Sequence, residues 1–116
     1  MSVIQRLLRS AGIGKGIGGG IGKDIAVGHQ VSPYVSAYPW TPGVGFGAKY
    51  ANPVTLPANA VDGVAFCGST DIAVAIRVTA PFVSAYPWTP GVGFGVKYAD
   101  PATLPTGAGS GVAFRN

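Results

Sequence analysis

Residues 34–66, YVSAYPWTPGVGFGAKYANPVTLPANAVDGVAF, and residues 82–114, FVSAYPWTPGVGFGVKYADPATLPTGAGSGVAF, agree at 25 of 33 positions at a constant offset of 48. Upstream, Asp24-Ile-Ala-Val-Gly answers Asp71-Ile-Ala-Val-Ala at an offset of 47, with one residue gained in the following loop. The body is therefore two copies of one unit of about 48 residues. It divides into an arm (1–23), a first repeat (24–70) and a second repeat (71–116). Whatever fold the chain takes must be built from this unit twice.

Each unit reads as four short strands: Ile25–His29 or Ile72–Arg77, Tyr34–Trp40 or Phe82–Trp88, Phe46–Ala51 or Phe94–Ala99, and Gly63–Phe66 or Gly111–Phe114. β-Branched and aromatic residues fill them. Thr-Pro-Gly at 41–43 and 89–91, Asn52-Pro53 or Asp100-Pro101, and Leu-Pro at 56–57 and 104–105 separate them as turns. No stretch of the body has a helical period, so the expected class is all-β.

Four strands repeating at about 48 residues is the size of one β-propeller blade. Closed rings need about four to eight blades, and two blades alone leave an apolar face bare at each end. Closure by symmetry is the simplest remedy. Two four-stranded blades per chain then complete a six-bladed ring as a homotrimer, which is favoured, or an eight-bladed ring as a homotetramer. A head-to-tail interface of this kind closes into a cyclic assembly.

The strings DIAVA, PYVSAYPW, GFGAKYANP and TLPANAVDGVAF, with their second copies, resemble the highly repetitive WD40-like propellers of cyanobacterial and phage genomes. The resemblance covers residues 24–116 and excludes the arm. It implies that GVAF is the innermost strand of a blade and is followed by a Ser-Pro-Asp-Gly-type turn. Cys67-Gly-Ser-Thr occupies that turn in the first copy, and Arg115-Asn116 follows GVAF in the second. In that phase the chain begins with the second strand of one blade. Gly111, Val112, Ala113 and Phe114 then form an inter-subunit strand that completes a neighbour's blade and covers an open sheet edge.

Charge sets the arm apart. The net charge of +4 resides in residues 1–23, which hold Arg6, Arg9, Lys15 and Lys23 and no acid, whereas residues 24–116 are neutral. Ser2 and Gln5 resemble a capping box, and Val3, Ile4, Leu7 and Leu8 form one apolar face, so two helical turns are expected there. Gly-rich residues 12–22 cost too much as helix and predict a flexible or extended piece. Its Ile13, Ile17 and Ile21 suit a partner's groove. Arg6, Leu7, Leu8, Arg9, Ile13, Lys15, Ile17, Ile21 and Lys23 are the candidate anchoring residues. The chain has no run of 18 apolar residues and no convincing signal peptide, so no membrane span is expected.

Catalytic material is sparse. The four acids are all Asp, with one His and one Cys. His29 has no companion at metal-ligand spacing and reads as a polar residue at a loop edge. Cys67 forms no intrachain disulfide and reads as a turn residue, and Asp24 and Asp71 read as turn residues before equivalent strands. Gly14-x-Gly16-x-x-Gly19 fits a dinucleotide pattern but follows no strand. No catalytic, metal or cofactor site is expected.

The expected function is a non-enzymatic assembly protein, most simply a virion component. A propeller ring would decorate a capsid or join a tail, with the arm tied to that scaffold. The alternative is a lectin-like module, cytoplasmic or virion-borne, in which Trp40, Trp88, Tyr38 and Tyr86 stack on glycans. The same rings otherwise pack between blades.

Overall fold

The computed structural model describes residues 23–115. These form seven strands and no helix: β1 (Lys23–Gly28), β2 (Val35–Thr41), β3 (Gly45–Phe46), β4 (Val61–Cys67), β5 (Asp71–Ile76), β6 (Val83–Thr89) and β7 (Gly93–Phe94). They make two antiparallel sheets. Sheet 1 has the order β1-β2-β3, and sheet 2 the order β4-β5-β6-β7. Sheet 2 thus takes its first strand from the first repeat and its other three from the second.

The repeat is followed residue by residue. Ile25 pairs with Tyr38 and Ala26 with Ala37 in sheet 1, and Ile72 pairs with Tyr86 and Ala73 with Ala85 in sheet 2. Both short hairpins turn at Thr-Pro-Gly. Val44 N–H donates to Thr41 O and Val92 N–H to Thr89 O, both at 2.9 Å. Gly43 and Gly91 hold φ of 79° and 81°. Proline followed by a residue of positive φ is a type II turn, and glycine takes that φ without a Cβ penalty.

Three expected strands differ from what the sequence predicts. The third strand of each unit shortens to two residues, and the reason is Pro39 or Pro87. The carbonyl of Pro39 accepts from Gly47 N–H at 2.7 Å and that of Ala37 from Tyr50 N–H at 2.9 Å, so residues 47–50 still follow β2. Proline has no N–H to return, and the ladder stops there. Pro87 with Gly95 and Ala85 with Tyr98 repeat the arrangement. The other difference is Gly111–Phe114. Gly63–Phe66 pairs with β5 as part of β4, but Gly111–Phe114 lies in no sheet. Sheet 1 therefore has three strands, and among the described residues none pairs with the outer edge of β1.

The core lies between the sheets. Strand alternation gives each unit a small-residue face and a large-residue face. In sheet 1 the small face, Ala26, Gly28, Val35 and Ala37, turns toward sheet 2. In sheet 2 the large face, Ile72, Val74, Ile76, Tyr86 and Trp88, turns toward sheet 1. Ala37, Tyr50, Ile72, Tyr86 and Trp88 form one buried cluster, and Val35, Val61, Val74 and Ile76 the other. The fit is close at Gly28, where an added Cβ would lie 2.4 Å from Val61 Cγ1 and 2.8 Å from Val61 O. Gly28→Ala is expected to destabilise the chain by about 1–3 kcal/mol through overpacking, read from the denaturation midpoint.

Candidate assembly interface

Asp24 is the polar centre of the contact between the two sheets. Its Oδ1 accepts from Tyr50 OH at 2.6 Å and its Oδ2 from Trp88 Nε1–H at 3.1 Å. Tyr50 OH also accepts from Gly91 N–H at 3.1 Å, so one phenol ties the carboxylate to the β6–β7 turn. Tyr86 OH donates to Thr55 O at 2.8 Å, fastening the 52–60 loop over sheet 2. Trp88 meets Tyr50, Phe66 and Phe94 edge-to-face, with centroids 4.9, 5.1 and 5.1 Å away. Such pairs add to the area they bury.

The second unit carries the same parts without the covering sheet. Tyr98 OH donates to Asp71 Oδ1 at 2.5 Å, as Tyr50 does to Asp24. Yet Tyr98 is 48% exposed against 9% for Tyr50. Pro53, Pro57 and Ala60 are buried, whereas their counterparts Pro101, Pro105 and Ala108 are exposed. A shallow pocket of about 210 Å³ lies beside Val83, Ala85 and Pro101 on the small face of sheet 2, where Ala73 and Ala75 are already buried within the chain.

Sheet 1 shows the opposite deficit on its large face. Tyr38 and Trp40 are already set edge-to-face on Phe46, at 5.3 and 5.1 Å, as Tyr86 and Trp88 are on Phe94. Trp88 is 3% exposed, whereas Trp40 and Tyr38 are half-buried and Phe46 is 63% exposed. The four repeated aromatic residues singled out in the sequence thus split. Tyr86 and Trp88 lie in the core, and Tyr38 and Trp40 at the surface.

Gly109 N–H donates to Ile76 O at 2.9 Å and the backbone of Ser110 and Gly111 packs against Gly63 of β4, after which Val112 is half-buried and Phe114 is 37% exposed, in no sheet. Lys23 is exposed at the start of β1. Arg6, Leu7, Leu8, Arg9, Ile13, Lys15, Ile17 and Ile21, with the expected helical turns, lie outside the described residues. His29 is a turn latch. Its Nδ1–H donates to Val31 O at 2.8 Å and its Nε2 accepts from Ser36 OH at 2.9 Å. Ile76 stands at that place in the second unit, and the buried Ser84 Oγ there has no partner. Cys67 and His29 lie at opposite ends of β4, since Cys67 closes the strand while Val61 N–H donates to His29 O at 3.1 Å. Among the described residues no three His, Cys, Asp or Glu side chains gather as metal ligands, and no helix is long and apolar enough to cross a membrane.

The sequence reads Asp24 and Asp71 as turn residues; the structure places Asp24 between the two sheets, whereas Asp71 holds Tyr98 and Thr70. The available signal was that Asp, Tyr and Trp recur together in both units. Comparison of the chain with family models, with curated proteins and with solved structures finds no match.

Burial pushes the Tyr86 phenol up from 10.0 to about 12. The fold favours its protonated form, so this stabilisation is complete below pH 10 and is lost as pH rises toward 12. The melting temperature should fall through that window. Tyr86→Phe should lose this part of the fall, yet be about 1 kcal/mol less stable at neutral pH because Thr55 O loses its donor. Trp88→Ala should cost about 3–5 kcal/mol in chemical denaturation.

Proposed function

We propose that the chain is a non-enzymatic structural protein that assembles head to tail with its own copies into a propeller ring. Three chains give six blades; four give eight. The observation that carries this reading is a matched pair of deficits. β1 has an outer edge without a neighbour among the described residues, and Gly111–Phe114 is a strand sequence without a sheet. The repeat supplies their register. Val64 pairs with Val74, Ala65 with Ala73 and Phe66 with Ile72. Translated by one unit, Val112 of one chain lies opposite Val27 of the next, Ala113 opposite Ala26 and Phe114 opposite Ile25. Cys67 pairs with Asp71, so Arg115 lies opposite Asp24 and adds an ion pair that the internal junction lacks. Main-chain pairing of this kind is β-augmentation by a second copy.

The arm, with the whole of the net positive charge, ties the ring to a larger acidic or apolar scaffold. A virus capsid or tail is the setting that a small ring with a basic arm suits. The glycan-binding alternative rests on Tyr38 and Trp40 alone, because Tyr86 and Trp88 are buried.

The native mass tests the reading. A discrete species of three or four times 11.7 kDa is expected, and a monomer at all concentrations contradicts it. Phe114→Ala should dissociate the ring and leave the unfolding of each chain unchanged. Phe66→Ala, in the same sequence context, should instead destabilise the chain by about 1–3 kcal/mol because Phe66 packs on Trp88.

A further inference from the structure

The geometry points to a second contact between copies, built by side chains rather than by the donated strand. The large-residue face of sheet 1, centred on Trp40, receives the small-residue face and 100–108 loop of sheet 2 from another copy. This rests on the head-to-tail reading above and names the surface that holds the copies together.

The same contact already exists once inside the chain. Ala37 and Tyr50 of the first unit are buried against Tyr86 and Trp88 of the second. The open faces at the two ends carry the same residues: Ala85 and Tyr98 on one, Tyr38 and Trp40 on the other. An aromatic face with half-buried Tyr38 and Trp40 and exposed Phe46 and a Tyr98-bearing face of complementary relief are thus both present, and each has its occupant identified by the internal copy. The aromatic set on sheet 1 already has the geometry that it needs, with Trp40 and Phe46 at 84° and 5.1 Å against 88° and 5.1 Å for Trp88 and Phe94.

The polar groups agree. Trp88 Nε1–H donates to Asp24 Oδ2 across the internal junction. Across the junction between chains, Trp40 Nε1–H donates to Asp71 Oδ2 of the neighbouring copy, whose Oδ1 already holds Tyr98 OH. In the same way Gly43 N–H takes the place of Gly91 N–H on the Tyr98 oxygen, and Tyr38 OH reaches Thr103 O as Tyr86 OH reaches Thr55 O. Phe114, arriving on the donated strand, meets Trp40 as Phe66 meets Trp88. Strand and face therefore converge on the same pair of copies.

Because the two faces differ, damaging either one blocks only one side of each chain. Full-length Trp40→Ala and Leu104→Asp variants are to be examined separately and mixed, by analytical ultracentrifugation and thermal unfolding. Each variant alone is expected to fold and to lose self-association by about 100-fold or more. The equimolar mixture is expected to form heterodimers, because the intact Tyr98 face of the Trp40→Ala chain meets the intact Trp40 face of the Leu104→Asp chain. Leu104 is 37% exposed and belongs to neither buried cluster. If Trp40→Ala destabilises the chain, Phe46→Ser, at a 63% exposed ring of the same face, replaces it. Undiminished association of both variants overturns the face contact and leaves the donated strand standing. Folded variants that stay monomeric when mixed overturn the face contact as well. A wild-type chain that is monomeric throughout overturns the head-to-tail reading itself.

Discussion

A sheet whose two sides differ in bulk stacks on a copy of itself in one direction only. In each unit of this chain, alanine and valine line one side and isoleucine, tyrosine and tryptophan the other. The bulky side of the second unit fills the shallow side of the first, and close packing rewards that fit at the level of single methyl groups. The same asymmetry means that two units never satisfy each other fully. One bulky face and one shallow face remain, at opposite ends, and they are complementary by descent from one sequence. Identical residues at equivalent positions thus have unlike surroundings: Tyr50 is covered and Tyr98 is open, Trp88 is covered and Trp40 half open.

The carboxylates make the stacking directional in polar terms too. Asp24 accepts a phenol from its own unit and an indole from the next. Asp71 has the phenol of its own unit and lends its other oxygen to Thr70 OH at 2.8 Å. These two hydrogen bonds, that from Tyr98 first, lower the Asp71 pKa, and the same bond to Asp71 raises that of Tyr98. Asp71 is thus held as a charged acceptor at neutral pH, ready for a further donor such as an indole N–H.

Much of this architecture was legible in the sequence because the repeat fixed strand order, turns and phase together. Thr-Pro-Gly read correctly as a turn, since proline and a positive-φ glycine leave the backbone little else to do there. The third strand was overextended because alternation in Phe46–Ala51 gave no warning that its partner carried a proline at the hydrogen-bonding position. What composition could not convey was which copy of each aromatic residue would be buried. That depends on the stacking direction, a tertiary property to which the two copies are blind, since Tyr38, Trp40 and Tyr50 recur unchanged as Tyr86, Trp88 and Tyr98. His29 is the counter-example, a difference between copies that has a local effect: it serves Ser36, and where Ile76 replaces it Ser84 is left without a partner.

In the proposed ring, residues 111–115 of one molecule lie along β1 of another. Cysteines placed at Ala26 and Ala113 of one chain, with Cys67 replaced by serine, test it by mild oxidation followed by denaturing, non-reducing mass analysis. Residues directly opposite on antiparallel strands have Cα separations of about 4.5–5.5 Å, within disulfide reach. The account predicts covalent multimers ending at the ring number, three or four chains. Monomers that stay reduced, or that close the bond within a single chain, would contradict it.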